Sequence, residues 1–206
     1  MLRYIITGAP GAGKTTILKA LHARGYAVVD EAATDIILRE QSLGHQEPWR
    51  DAGFIDAITL LQRARQMRPA PPGTSVQLYD RSPICTLALA HHLAHYGGQP
   101  VPRVLASEVN RILREGIYQR QVFVVRLLGF VTPTAARRIS YAQSVRFGRL
   151  HERVYRTHGY ELVDVPAGTV AERAELIDRH IRSWVGCSAG GTGKDVRNQG
   201  EVQGVP

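Results

Sequence analysis

Gly8-Ala9-Pro10-Gly11-Ala12-Gly13-Lys14-Thr15 matches the spacing G-x-x-x-x-G-K-[ST] at every position, and Thr16 comes next. Each residue type has a chemical reason. Glycine lets the backbone turn with its N–H groups pointing inward. At the start of a helix those N–H groups attract the β-phosphate of a nucleoside triphosphate. Lys14 is placed to reach the β- and γ-phosphates, and the Thr15 hydroxyl to hold Mg²⁺. The run reads as a phosphate cradle, a P-loop, with Gly8, Ala9, Pro10, Gly11, Ala12, Gly13, Lys14, Thr15 and Thr16 as its binding residues. Its context agrees: an apolar strand, Leu2 to Thr7, precedes it, and a helix with Ile17, Leu18, Ala20 and Leu21 inside extends from it to Arg24. The later run Gly190-Gly191-Thr192-Gly193-Lys194 has no strand before it and no helix after it, and reads as tail.

A phosphate bound at a strand end needs partners from neighbouring strand ends, because ligands of parallel sheets sit at the carboxyl edge. After a second strand, Tyr26 to Val29, come Asp30 and Glu31. After a third, Val76 to Tyr79, come Asp80-Arg81-Ser82-Pro83. Acids at such points hold Mg²⁺ or accept a proton from a hydroxyl, and Arg81 can neutralise charge on a phosphoryl group. Glu31 can equally be an acid stabilising a helix start, and Asp80 a helix N-cap.

The elements that position these residues alternate. Helices are expected over Ala32–Gln41, Asp51–Met67, Ile84–Tyr96, Val101–Glu115, 135–158 and Val170–Val185. The fourth and fifth strands are expected over Gln121–Leu128 and Glu161–Val165, and a Pro-rich loop covers Pro69–Gly73. This is the pattern of an α/β parallel sheet with helices on both faces. The reading is one domain over 1–185, with a disordered, glycine-rich tail from Gly186 to Pro206.

Composition bounds the function. The chain has 206 residues, 44% hydrophobic and 21% charged, with a net charge of +8. That suits a soluble domain with a real core. No apolar run is long enough to span a bilayer, and the first residues lack a signal peptide's apolar stretch, so the expectation is a cytoplasmic protein without a membrane partner. Cys85 and Cys187 read as unpaired thiols. Only Lys14, Lys19 and Lys194 are lysines, so the positive charge is nearly all arginine. Arginine suits bidentate contacts with phosphate. The arginines are spread along the chain without an aromatic-basic RNA motif, which favours a small polyanion over nucleic acid. His91 and His95 are a turn apart, a zinc spacing, but no third ligand accompanies them and they read as a surface helix. Trp49 and Phe54 read either as core or as the lining of an acceptor pocket.

Gly8 to Thr16, Glu31-Ala32-Ala33, Pro48-Trp49-Arg50-Asp51, Asp80-Arg81, and Tyr155 with Gly159–Val163 and Val165-Pro166 resemble the AAA-type ATPases related to the ribosylnicotinamide kinase domain. Asp80-Arg81-Ser82 is also similar to the acid-Arg-Ser motif of deoxynucleoside kinases. The resemblance covers roughly residues 1 to 182. It implies a nucleoside/nucleotide-kinase-like fold, a five-stranded sheet of order 2-3-1-4-5, and a helical lid, here about 135–156. It also implies Glu31 as general base, with Asp80 and Arg81 serving metal and phosphates. Kinases of this fold clamp the triphosphate with lid arginines, which makes Arg137 and Arg138 the first candidates. Arg146, Arg149 and Arg153 share a face at i, i+3 and i+7.

The reading is a Mg²⁺-dependent, ATP-binding phosphotransferase acting on a small nucleoside-like or other hydroxyl-bearing, or a phosphorylated, acceptor. Lys14, Glu31, Asp80 and Arg81 carry the chemistry, and Thr15 and Asp80 hold the metal. The alternative is an NTPase or nucleotide switch acting on a protein or nucleic-acid partner. The chain has no arginine-finger or sensor motif of ring ATPases, and no guanine-specifying Asn/Thr-Lys-x-Asp segment.

Overall fold

The structure, a computed structural model, describes residues 1–95, 100–129 and 140–189. Five strands form one sheet: β1 (Leu2–Gly8), β2 (Ala27–Val29), β3 (Val76–Asp80), β4 (Gln121–Val125) and β5 (Glu161–Val165). Their order is β2-β3-β1-β4-β5, and every pairing is parallel. The helices among the described residues are α1 (Lys14–Ala23), α2 (Ala32–Ser42), α3 (Phe54–Met67), α4 (Pro83–His95), α5 (Arg103–Arg114), α6 (Tyr141–Thr157) and α7 (Val170–Ala189), with a short 3₁₀ turn at Pro48–Arg50. None is long and apolar enough to cross a membrane.

The period-2 geometry of a strand sends alternate residues to opposite faces. In β1, Tyr4 and Ile6 pack on the side of α1 and α7, while Ile5 packs on the side of α2 to α6. In β4, Phe123 and Val125 join the first side and Val122 the second. Central strands covered on both faces must be apolar throughout. Tyr4, Ile5 and Ile6, and all of β4 after Gln121, are accordingly buried.

The pairing fixes the site. Ile6 lies opposite Asp80 on β3, and Gly8 opposite Val125 on β4. The N–H of Arg81 continues the ladder to the Ile6 carbonyl at 3.1 Å. The cradle after β1 and the acid ending β3 are therefore neighbours by strand register.

Several boundaries differ from expectation. β4 ends at Val125, three residues before Leu128; the Arg126 N–H makes a last bond to the Val165 carbonyl, and its side chain bonds acids on α6 and β5. Asp51, the expected helix start, instead ends the 3₁₀ turn, and α3 begins only after Gly53. α6 starts at Tyr141 behind a capping box: Ser140 Oγ accepts from Gln143 N–H at 3.2 Å, and Gln143 Oε1 from Ser140 N–H at 2.8 Å. α7 continues to Ala189, four residues past Val185, where small residues carry its backbone bonds on. Arg137 and Arg138 lie outside the described residues, as does 190–206 of the expected tail.

Gly8 sits at φ 142°, and a Cβ there would stand 2.4 Å from the Val125 carbonyl oxygen. Backbone cannot yield to that as a flexible side chain would. We expect Gly8→Ala to lower the unfolding free energy by about 2–4 kcal/mol. A urea melt within about 0.5 kcal/mol of wild type, the size of an ordinary surface change, would show that the β1–β4 contact has slack.

Candidate active site

The cradle is a bare helix start. Gly11 and Gly13 take φ 84°, which non-glycine residues adopt at a cost. Gly13 caps α1 with no side chain bonded to the first turn, and that turn carries no acid. Both features leave the positive end of the helix for a phosphate. Lys14 is buried and reaches back over the loop, donating to the carbonyls of Gly8 at 3.4 Å and Ala9 at 3.3 Å.

Beside it, the Thr15 hydroxyl donates to Asp80 Oδ2 at 3.4 Å. Asp80 is buried, and its other oxygen, Oδ1, has no hydrogen-bond partner among the described residues. Burial raises its pKa, Lys14 opposes this, and Glu31 adds to it. A carboxylate with an orphaned buried oxygen next to a hydroxyl is a hard-oxygen donor set, the kind that Mg²⁺ accepts alongside phosphate oxygens.

Glu31, at the N-terminus of α2, bonds Arg81 Nε and accepts from the Thr34 hydroxyl at 2.7 Å. Burial works against its charge. Arg81 and then Lys14 overcome that, and together with the hydrogen bonds hold the Glu31 pKa down to about 2. Arg81 adopts φ 73°, the only positive φ on a non-glycine residue among the described residues. Such a conformation costs about 1–3 kcal/mol and persists only where its surroundings enforce it. Its Nη1 is 3.1 Å from His151 Nε2 on α6. His151 Nδ1 is 2.9 Å from the Phe147 carbonyl, an acceptor only. The ring therefore carries its proton on Nδ1 and accepts from Arg81 at Nε2. Burial first, then Arg81 and Lys14, lower the His151 pKa to about 3.

Two cavities meet at this point. One, of about 420 Å³, lies between α2, the 3₁₀ turn, α3, α4 and α6. It runs from Pro10, Glu31, Arg81 and His151 past Ile37, Trp49, Phe54 and Phe147 to Gln62 and Thr86. Trp49 and Phe54 are thus both core and cavity wall. The other, of about 460 Å³, lies on the β4 side of the cradle and includes Gly8, Ala9, Arg126, Arg149 and Glu152. His151 borders both.

The structure divides the α6 arginines. Arg149 faces the cradle-side cavity, whereas Arg146 and Arg153 face a groove against His91, His92 and His95 of α4. The expected shared face fails because even nearby positions on a helix meet different neighbours once α6 lies in the angle between α4 and the cradle.

Sequence reading does not single out three residues of the site. Arg126, directly after β4, bonds Glu152 and Asp164. The strand-end rule that finds Glu31 and Asp80 applies to it equally. Arg173, buried at the start of α7, donates to the Arg126 carbonyl at 2.6 Å and stands beside Gly13. His151 carries no signal, being one polar residue in a helix crowded with arginine.

A family model described as an AAA domain matches residues 3–173. No curated protein matches the chain. Among solved structures, deoxyadenosine kinase from M. mycoides with products dCMP and a flexible dCDP is similar at a TM-score of 0.60 and 14% identity, over 89% of this chain and 100% of that one. The same kinase with bound dATP gives 0.54 at 16% identity, over 88% and 100%. NadR protein in complex with NAD and AMP-PNP gives 0.63 at 15% identity, over 90% of this chain and 49% of that one. The fold is that of P-loop kinases.

The buried imidazole has a consequence for stability. The unfolded chain's histidine binds a proton near pH 6.5, and the folded one only near 3. This group's contribution is complete above 6.5 and is lost at about 1.4 kcal/mol per pH unit as pH falls. Glu31 acts in the same direction only below about 4.5, and Asp80, with its raised pKa, acts in the opposite one. The wild type should therefore lose about 2 kcal/mol more than His151→Gln between pH 6.5 and 5 in urea melts. Equal slopes would mean that His151 titrates normally.

Proposed function

The chain belongs to the AAA-domain family, and from that premise we propose that it is an ATP- and Mg²⁺-dependent phosphotransferase whose acceptor is a small, unphosphorylated, hydroxyl-bearing metabolite of nucleoside-like shape. The observation that carries this reading is the cavity that begins at Glu31 and Arg81, next to Pro10 of the cradle. A hydrolase needs room for one water. A cavity of about 420 Å³ walled by Trp49, Phe54 and Phe147, with an amide at Gln62, suits a flat organic acceptor with a polar edge.

Charge supports an unphosphorylated acceptor. Among the described residues lining that cavity, the one guanidinium, Arg81, is already paired with Glu31, and a second carboxylate, Glu47, lines it too. A phosphorylated acceptor would meet two acids and a guanidinium already engaged by one of them.

The roles follow from the contacts. The cradle N–H groups and Lys14 hold the β- and γ-phosphates. Thr15 and Asp80 would hold Mg²⁺, which when bound neutralises charge between the phosphates. Glu31 orients the acceptor hydroxyl and takes its proton. A carboxylate with a pKa of about 2 is a weak base, which is tolerable because the hydroxyl loses its proton late in a loose phosphoryl-transfer transition state. Arg81 engages Glu31 through Nε and His151 through Nη1, and makes no hydrogen bond through Nη2 among the described residues. That edge can meet the phosphoryl oxygens.

Two isosteric variants test this division. Glu31→Gln should bind Mg²⁺·AMP-PNP as the wild type does and transfer phosphate to a neutral nucleoside panel about 10²–10⁴-fold more slowly. Asp80→Asn should weaken the Mg²⁺-dependent binding itself, read by calorimetry. Nucleoside monophosphates should not react. If no neutral acceptor is phosphorylated and both variants lose ATP hydrolysis equally, the nucleotide-switch reading takes the place of this one.

A further inference from the structure

α6 buries one face, made of Ser144, Phe147, His151, Val154 and Tyr155 at helical spacing. Read along that face, the helix touches both halves of the site. Gly148 lies against the cradle: a Cβ there would stand 3.3 Å from Ala9 Cβ, so the two backbones are close. Phe147 walls the acceptor cavity, its ring 4.3 Å from that of His151 and 4.8 Å from that of His92 on α4. His151, one turn on, accepts from Arg81. Tyr155, a turn further, bonds Ser82 Oγ at 2.8 Å and Cys85 Sγ at 3.0 Å. Within three turns the helix holds the phosphate loop, the cavity wall, and the segment that carries Arg81.

We propose that His151 is a positioning residue that couples occupancy of the phosphate cradle to the acceptor side, by transmitting the position of α6 to the Arg81–Glu31 pair. Three observations carry this. Arg81 holds a strained backbone, its N–H tied to the Ile6 carbonyl, and its side chain is held by Glu31 and His151. His151 is itself fixed, its Nδ1 proton tied to the Phe147 carbonyl one turn back, so its acceptor nitrogen cannot follow Arg81 unless the helix moves. Gly148, three residues earlier, lies close to Ala9 of the phosphate loop. A shift of the cradle against Gly148 therefore becomes a shift of His151 Nε2. The neutral ring matters: a protonated one would repel Arg81 and offer it no acceptor. Lys14 and Arg81 disfavour that protonation, and Glu31 is the acid that would favour it. The acceptor half of the inference rests on the phosphotransfer reading, whereas the coupling within the protein does not.

The test uses the full chain with Mg²⁺·AMP-PNP as probe and hydrogen exchange as readout. In the wild type, the nucleotide should slow exchange over 8–16 and also over 31–37 and 81–86. In His151→Leu, protection should persist over 8–16, with affinity within about 2-fold by calorimetry, and fall by about 5-fold or more over 31–37 and 81–86. His151→Gln, whose amide oxygen can accept from Arg81, should restore most of it. This rescue separates positioning from bulk packing, which leucine and glutamine would fill alike. Full protection over 81–86 in His151→Leu overturns the proposal. If that variant does not fold, ¹⁵N spectra of the wild-type imidazole decide: a proton on Nδ1, and an Nε2 signal that moves on adding nucleotide, support the coupling. A proton on Nε2, or a signal that does not move, overturns it. Wild-type protection confined to 8–16 removes the coupling but leaves the donor site intact. No protection anywhere removes the donor site and the coupling with it.

Discussion

The parallel pairing of β1 with β3 and β4 is the constraint on which the rest of this protein depends. A strand buried on both faces leaves nowhere for polar groups except its end. Here the ends of three adjacent strands fall together, so that Gly8, Asp80 and Arg126 emerge at one edge of the sheet. The glycine is required by the pairing itself, because the Val125 carbonyl occupies the space of a side chain. The same register that packs Ile5 and Ile6 into two cores thus also sets the distance between a phosphate loop and its neighbouring acid.

Buried charge is then balanced locally. Lys14, Arg81, Glu31 and Asp80 form a compact group of two cations and two anions with little solvent to screen them. Interactions in such a place are strong, and any imbalance is costly. The group responds unequally. Glu31, in direct contact with Arg81, stays ionised far below ordinary pH, while Asp80, without a guanidinium on its free oxygen, is pushed toward protonation. One acid is satisfied by its neighbours, and the other is left with an oxygen that has no partner among the described residues. The proposed division of tasks between the two carboxylates rests on that contrast more than on their distances.

Much of this is legible without coordinates. The cradle is a contiguous motif with a fixed mechanism, and it comes after an apolar strand. The alternation of strands and helices implies the parallel sheet, and the family resemblance its order. Glu31, Asp80 and Arg81 stand at or just beyond strand ends, a position that sequence reveals, and Arg126 occupies a position of the same kind. The hidden part depends on side chains meeting across long separations. His151 and Arg81 are 70 residues apart, and nothing in the arginine-rich spacing of α6 marks the histidine as different. Helical period alone groups the arginines, but a helix lodged in a corner has two contact faces, and Arg149 meets another neighbour than Arg146 and Arg153. Trp49 and Phe54 pose a choice between core and pocket that the fold does not make, because the pocket is the hollow end of the core.

The sheet also separates two duties. The core on one face is closed by α1 and α7, and the other core by α2 to α6. The glycine-rich loop grows into α1, whereas most walls of the cavity that begins at Glu31 and Arg81 come from the opposite layer. Substitutions at Ile37, Trp49 or Leu89 can therefore reshape that cavity without disturbing the packing of Ile17, Leu18 and Ile177 behind the phosphate loop. Such a partition lets drift confined to one layer change what the cavity admits, while the layer that supports the phosphate loop is inherited whole.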